Sequence, residues 1–313
     1  SPWNRAQFNS SITNQMHEFG PRLFANVGLI QGLQLNDRWA IDIGVDQTST
    51  IKGTNLERFD NDRELASGSL RDDFVAVFFG SMYQSEFWSA NSRIEYRDSD
   101  SEERFTLVSG WYREAMLGHG MSAGLALQQS DRSDSSSTMS ANLRMGWAWR
   151  VADSRWSFLD RTDLIYEDSA APGNEQRSWR LVNNFNANRR LNASSQLSLQ
   201  YAFKYVRAEF GAQDFTGYTD LIGLDFRKGF KDKWDAGIHT STWHSWRSKV
   251  IDYGFGVDVG YNVLDNLWLT LGYNVAGFHD VDFTAARYTA QGPYLRISIK
   301  ADQQTLKDIA GQR

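Results

Sequence analysis

Seven charged residues occur inside long alternating segments of the chain, on the parity that also carries serine, asparagine and glycine. Successive side chains of a β-strand point to opposite faces, so these charges share the polar face of their strands. Charged side chains that line a water-filled passage attract or repel ions and so determine its selectivity. We therefore expect a pore lining that includes Arg144, Arg161, Arg180, Asp42, Asp225, Asp258 and Arg296.

Two of these arginines, Arg144 and Arg161, fall on neighbouring strands, the eighth and ninth of a sixteen-strand count. Asp42 falls on the third strand and Asp258 on the fourteenth, so a circular arrangement places acids across the lumen from the arginines. Such an arrangement predicts a transverse electric field that orients dipolar solutes. The alternative is local neutralisation, for which Asp163, two residues from Arg161 on the same face, is the candidate partner.

Catalytic and metal-binding chemistry has little support in the sequence. The chain has 0 Cys, and His239 and His244 have opposite parity, so they cannot bind one ion from one strand face. The acidic run "RDSDSEE" at 97–103 lacks the glycine of a calcium loop, and "GFGVDVG" at 254–260 lies inside a strand, where small residues leave room. A Ser/His/Asp arrangement stays open because its members need only meet in space. We expect no enzyme activity, no metal ion and no cofactor.

The segment from 251 to 275 shows the elements that must position the charges. Ile251, Tyr253 and Phe255 begin an apolar series that alternates with aspartate, glycine and asparagine, and the alternation resumes after the turn "LDN" at 264–266. Period-two alternation predicts β-strands with one apolar and one polar face. The same pattern predicts strands near 3–12, 20–33, 38–48, 70–83, 87–99, 103–114, 119–130, 136–150, 155–168, 176–190, 195–209, 215–229, 233–247, 249–263, 266–278 and 291–301.

The connections between the strands indicate the strand count. Short turns alternate with longer or more polar connections, among them 49–69, 130–138, 168–175 and 279–290. Outer-membrane barrels have an even number of strands and short periplasmic turns. The sequence therefore predicts one all-β, closed antiparallel transmembrane β-barrel over 1–301, most simply with sixteen strands. Fourteen is the alternative because 1–17 is weakly patterned, and we expect 302–313 to be a short periplasmic tail.

The tryptophans cluster near predicted strand ends. Amphipathic rings favour the headgroup region of a bilayer, so we expect a lipid-interface girdle near the short turns. A soluble sandwich, the alternative, would place these aromatics at mid-strand. A second set, Trp179, Trp243 and Trp246, lies towards the opposite strand ends, so we expect outward aromatic rings at both edges of the barrel. The girdle near the short turns consists of Trp39, Trp88, Trp111, Trp147, Trp149, Trp156 and Trp234.

The composition excludes several classes of protein. The longest apolar run, "FVAVFFG" at 74–80, is far shorter than the roughly 18 residues that a helical span requires. The net charge of −5 and the lack of a basic stripe argue against nucleic acid as a partner. The start "SPWNRAQFNS" has no apolar core, so we expect a mature or excised chain that has already lost any signal peptide.

The last predicted strand, in "YTAQGPYLRISIKAD", resembles the C-terminal assembly signal of Gram-negative outer-membrane β-barrels, although the chain continues beyond it. More narrowly, 271–303 resembles the C-terminal barrels of very large, repeat-bearing bacterial surface proteins. The resemblance implies integral insertion in the bacterial outer membrane. The implied partners are outer-membrane lipid and lipopolysaccharide, the barrel-assembly machinery during insertion, and a possible fused or partner surface domain.

Two functions fit these observations. The first is a passive water-filled pore for small polar solutes, which the charged lumen favours. The second is a membrane anchor or translocator barrel of a larger surface protein, which the narrower resemblance and the shortness of most loops favour.

Overall fold

The computed structural model describes residues 6–17, 20–52, 73–230, 233–264, 267–277 and 291–299. These residues form sixteen β-strands, so the sixteen-strand prediction is confirmed and the fourteen-strand alternative is wrong. The predicted tail at 302–313 lies outside the described residues. The strands are β1 (Ala6–His17), β2 (Gly20–Gln34), β3 (Trp39–Lys52), β4 (Phe74–Gln84), β5 (Trp88–Ser99), β6 (Glu102–Met116), β7 (His119–Arg132), β8 (Ser137–Trp149), β9 (Trp156–Ala171), β10 (Asn174–Arg190), β11 (Ser195–Phe210), β12 (Gln213–Phe230), β13 (Trp234–Ser245), β14 (Val250–Leu264), β15 (Leu267–Ala276) and β16 (Gly292–Ile299).

Every strand pairs antiparallel with its neighbour in sequence, in the order β1 to β16. This order is that of an up-and-down barrel, in which β16 and β1 are the strands that closure joins. No pairing between these two strands occurs among the described residues. Within the part of the chain that the structure describes, no helix has the length and apolar character needed to cross a membrane.

The two faces of the sheet differ in chemistry and in curvature. Side chains of second-neighbour strands meet on the polar face, where Arg227 of β12 contacts Asp258 of β14 and Tyr294 of β16 contacts the same aspartate. Second neighbours approach each other on the inside of a curve, so the polar face is concave. The apolar face is convex and exposed: Leu271 is 63% exposed and Ile297 62%.

Two predicted loops are wrong. The segment 168–175 is mostly strand, because β9 continues to Ala171 and β10 begins at Asn174. The turn between them consists of Pro172 and Gly173, and Gly173 adopts a φ of 78° that favours glycine. The segment 130–138 is likewise strand except for the turn at 133–136. These strand ends are polar on both faces, which is typical of strands that continue past the lipid into water.

Candidate functional site

A three-residue charge cluster lies on the concave face of β8 and β9. Asp163 accepts hydrogen bonds from Nε of Arg144 and from Nε of Arg161, both at 2.7 Å. Register places Asp163 directly opposite Arg144, and it lies two residues from Arg161 on the same strand. The carboxylate is buried while both arginines are partly exposed. The local neutralisation considered from the sequence therefore occurs, and the cluster keeps one net positive charge.

A second charge cluster lies on the concave face of β12 to β16. Asp258 is 3% exposed and accepts hydrogen bonds from Nη2 of Arg227 at 2.6 Å and from the Tyr294 hydroxyl at 3.1 Å. Arg227 also donates to Asp235 on β13. Beside this cluster, Nε2 of His239 lies 3.0 Å from Oδ1 of the buried Asn274. The network connects five strands, and apart from Asp258 none of its members was predicted.

Glycine makes this second cluster sterically possible. A Cβ atom on Gly237 of β13 would lie 2.8 Å from Oδ1 of Asp258 and 3.0 Å from Nη2 of Arg227. Gly256 and Gly272 similarly leave room for His239 and Tyr294. Glycines on the polar parity were the available sequence signal, since a glycine in a strand marks a close approach of another group.

The remaining predicted lining residues, Arg180, Asp42, Asp225 and Arg296, also face the concave side. Nη2 of Arg180 lies 3.7 Å from Oε1 of Glu167. Asp42 pairs with Gly80 of β4, and a side chain at position 80 would clash with the Asp42 carboxylate. Asp225 lies two residues before Arg227, and the guanidinium of Arg296 lies 5.7 Å from the Tyr294 ring centroid.

Charges of opposite sign are concentrated on different parts of the concave face. The two terminal residues of each strand are excluded, and only side chains in the described part of the chain are compared. From β5 to β11 the basic side chains outnumber the acidic ones. They are Arg93, Arg97, Arg104, Arg144, Arg161, Arg180 and Lys204, against Glu95, Glu114, Asp163 and Glu167. From β12 through β16 to β3 the excess is acidic. This part carries Asp225, Asp252, Asp258, Asp42 and Asp46, against Arg227 and Arg296.

The concave face also contains apolar side chains that the sequence analysis missed. Phe78 is 2% exposed, fills the space above Gly44 and stacks with the Arg93 guanidinium at 3.7 Å. Trp243 packs on the concave side against a small cluster of Val182, Ala202 and Leu221. The prediction that Trp243 belongs to an outward aromatic set is therefore wrong, because it and Trp246 have opposite parity.

The seven girdle tryptophans all lie on the convex face, towards the strand ends that carry the short turns. Tyr83 packs against Trp39 and Trp88, with ring centroids 4.8 and 4.0 Å apart. Phe158 packs against Trp149 and Trp156 at 5.3 and 5.6 Å. At the opposite strand ends, aromatic rings again lie on the convex face, including Trp179, which packs against Tyr166, and Trp246. The lipid-interface role of these rings stays a prediction.

Other chemical candidates do not converge. Glu102 turns to the concave side and accepts a hydrogen bond from the Ser130 hydroxyl at 2.6 Å, away from Asp98 on the convex face. His239 faces the concave side and His244 the convex side, as their parity predicts. Within the described ranges, no three His, Asp or Glu side chains are grouped so that they could hold a metal ion.

A curved antiparallel sheet of sixteen strands, with an exposed aliphatic outer face and a charged inner face, has the architecture of a transmembrane β-barrel. Apolar side chains cover the convex face so extensively that they require lipid beside them, since water would not stabilise such a surface. These features define the class of the protein as an integral transmembrane β-barrel.

Comparisons with known proteins give distant matches in structure alone. No protein-family model matches the chain, and no curated protein matches it. A solved structure described as a bacterial polysaccharide outer membrane secretin matches with a TM-score of 0.39 and 8% identity, over 95% of this chain and 98% of that chain. BamA from Haemophilus ducreyi matches with a TM-score of 0.40 and 11% identity, over 94% and 70% of the two chains. An anion-selective porin from Comamonas acidovorans gives 0.41 and 11%, over 94% and 96%. Because these TM-scores and identities are low, the fold is assigned from the strand order and pairing of this chain and not from the matches.

Proposed function

We propose that the chain forms a passive, water-filled pore for small polar solutes. The separation of basic and acidic side chains around the concave face is the observation that carries this proposal. In a sixteen-strand barrel, β5 to β11 cover nearly half of the circumference and lie across the lumen from β14 to β3. The resulting transverse field orients dipolar solutes and favours ions according to the wall that they approach.

Local pairing weakens this field without removing it. Asp163 offsets one of the two arginines that it binds, and Arg227 offsets part of the charge of Asp258 and Asp235. The excess charge remains on less buried groups, including Arg180 and Asp42. These two residues are therefore suitable probes of ion selectivity, because each carries a partly exposed charge on one of the two walls.

Reversal potentials across a planar bilayer with a salt gradient test this proposal. Arg180→Gln removes charge from the basic wall and shifts the pore towards cations, whereas Asp42→Asn shifts it towards anions. The matched control is Arg189→Gln, because Arg189 lies on the same strand as Arg180 but on the convex face, 5.1 Å from the Trp156 ring centroid. Shifts in opposite directions for the two lumen variants, with none for the control, support the proposal. Unchanged potentials in conducting barrels contradict it.

An anchor or translocator barrel is the second candidate function, and the short connections favour it. Between β5 and β14, the connections at the end opposite the short turns are 100–101, 133–136, 172–173, 211–212 and 246–249, so these strands carry no loop long enough to fold into the lumen. The part of the lumen wall that these strands form leaves room for a passenger segment. If the chain is an anchor or translocator barrel, the isolated chain conducts ions, and it loses this conductance when a passenger domain is fused to it.

The proposal includes partners that the barrel requires in the membrane. Lipid and lipopolysaccharide contact the convex face, the barrel-assembly machinery inserts the chain, and a fused or partner surface domain follows from the anchor function.

A further inference from the structure

Polar side chains lie on the convex face of β9 and β10, between the two aromatic levels. On β9 the outward residues run from Trp156 and Phe158 through Asp160, Thr162 and Leu164 to Tyr166. On β10 the residue paired with Thr162 is Asn183, four residues from Trp179. We call Asp160, Thr162 and Asn183 the β9–β10 patch. It lies where the neighbouring strands β7 and β8 carry Leu125, Leu127, Leu143 and Met145.

The side chains of the β9–β10 patch are hydrogen bonded to one another but keep unused capacity. Nδ2 of Asn183 donates to Oδ1 of Asp160 at 2.8 Å and to Oγ1 of Thr162 at 2.9 Å. Among the described residues, Oδ2 of Asp160, Oδ1 of Asn183 and the Thr162 hydroxyl proton have no further hydrogen-bond partner. The patch therefore presents acceptors and one donor to whatever lies against it.

Contact with the hydrocarbon of the bilayer is energetically unfavourable for such a patch. An ionisable side chain that faces lipid is destabilising and marks a contact with another polar group. A single hydroxyl is different, because it can donate to a backbone carbonyl of the sheet, as Ser109 on β6 does to the carbonyl of Asn91 on β5 at 3.3 Å. Asp160 cannot do the same, because an ionised carboxylate accepts hydrogen bonds and has no hydrogen to donate to a backbone carbonyl.

A complementary group lies at the same level on β13. Thr242 is on the convex face, four residues before Trp246, just as Asn183 is four residues from Trp179. Its neighbour Thr240 already donates to the carbonyl of Gly254 at 3.1 Å. The Thr242 hydroxyl has no hydrogen-bond partner within the described part of the chain, so it is free to donate.

We infer that the β9–β10 patch of one copy binds the β13 surface around Thr242 of a second copy, and that copies close into a small ring in the membrane. Each strand of a sixteen-strand barrel takes about 22° of the circumference, so the two surfaces are about 80° apart. A head-to-tail ring needs about 60° between them for three copies and about 90° for four. The Thr242 hydroxyl donates to Asn183 or Asp160 of the neighbouring copy, and aromatic side chains of β11 and β12 fill the space between the contacts.

Disulfide trapping tests the contact, because the natural chain has 0 Cys and only introduced cysteines react. The double variant Thr162→Cys with Thr242→Cys, oxidised in membranes, should give a ladder on a non-reducing denaturing gel that ends at three or four copies. Each single variant should stay monomeric. The pair Thr162→Cys with Asn183→Cys, which lies directly across two strands, is the positive control for oxidation at this depth and is scored by loss of maleimide reactivity.

Either of two gel results overturns the inference. A dimer from Thr162→Cys alone shows a two-fold contact of the patch with itself. No ladder from the double variant, with the intrachain control oxidised, shows that no second copy lies there.

A measurement without cysteines gives an independent result. Light scattering on the detergent-folded chain should give the mass of a ring, and Asp160→Leu should weaken its association about tenfold, which matches the loss of one charge-assisted hydrogen bond. Ser109→Val, on the convex face of β6 and outside both contact surfaces, should leave the mass unchanged. A wild-type chain that is monomeric at every concentration, or an Asp160→Leu variant that associates as tightly as the wild type, contradicts the inference.

Discussion

Asp258 connects three strands through its carboxylate, and its removal should destabilise the barrel measurably. Asp258→Asn keeps nearly the same shape and one carbonyl oxygen, which can accept from Arg227. Its NH2 group replaces the oxygen that accepts from Tyr294, so the Tyr294 hydroxyl must reverse and accept, and both contacts lose the carboxylate charge. Hydrogen bonds to charged groups contribute about 1.5–3 kcal/mol and neutral ones about 1 kcal/mol, so we expect a loss of about 1–2 kcal/mol. Asp258→Ala removes both acceptors and leaves the Arg227 guanidinium with Asp235 and the nearby Asp225. We expect about 3 kcal/mol, the low end for a broken buried pair, because Asp235 still neutralises the arginine.

Urea unfolding of the vesicle-inserted chain, followed by tryptophan fluorescence, measures these free energies. Asp42 provides the matched controls, since it is also an aspartate on the concave face but has no side-chain hydrogen bond among the described residues. Asp42→Asn and Asp42→Ala should change the free energy of unfolding by about 0.5 kcal/mol or less. If Asp258→Ala destabilises the barrel no more than Asp42→Ala does, the network on β12 to β16 does not stabilise the fold.

Three further outcomes follow from the geometry. Gly237→Val should destabilise the barrel about as much as Asp258→Ala, because its side chain would displace the Arg227–Asp258 pair; unfolding in urea checks this, and a neutral result contradicts the packing around Gly237. Phe78→Ala should cost about 3 kcal/mol and raise single-channel conductance by widening the lumen beside Gly44; wild-type values for both quantities would contradict the position of this ring. A cysteine at Ser135 should react with an impermeant label on intact cells and one at Ser85 should not; the reverse pattern would show that the short turns face outward.

The strands could be predicted because two solvents act on them. Lipid on one face and water on the other impose a period of two, so residues such as Ile251 and Tyr253 identify their face from spacing alone. The same parity correctly places His239 and His244 on opposite faces. It fails where both faces meet water: the polar residues at 168–175 were predicted as a loop, whereas they extend β9 and β10.

The contacts within the lining could be predicted only in part. Asp163 lies on the same strand and face as Arg161, so its role as a local partner could be anticipated. The Arg227–Asp258 pair spans an intervening strand, and its formation depends on the curvature of the sheet and on the space above Gly237. Neither the curvature of the sheet nor the space above Gly237 can be predicted from the spacing of residues in the sequence. Trp243 was misplaced for a simpler reason, because its nearness to a strand end was weighed above its parity.

The conductance of the purified chain, folded in detergent and added to a planar lipid bilayer, tests the water-filled lumen most directly. The sample should first show a shift in gel mobility between unboiled and boiled forms, which establishes a folded barrel. Insertion should then produce discrete current steps of uniform size that scale with salt concentration, as expected for ions crossing an open charged lumen. A barrel that shows the mobility shift and inserts into the bilayer, yet produces no current steps, would contradict the open, water-filled lumen on which both candidate functions depend.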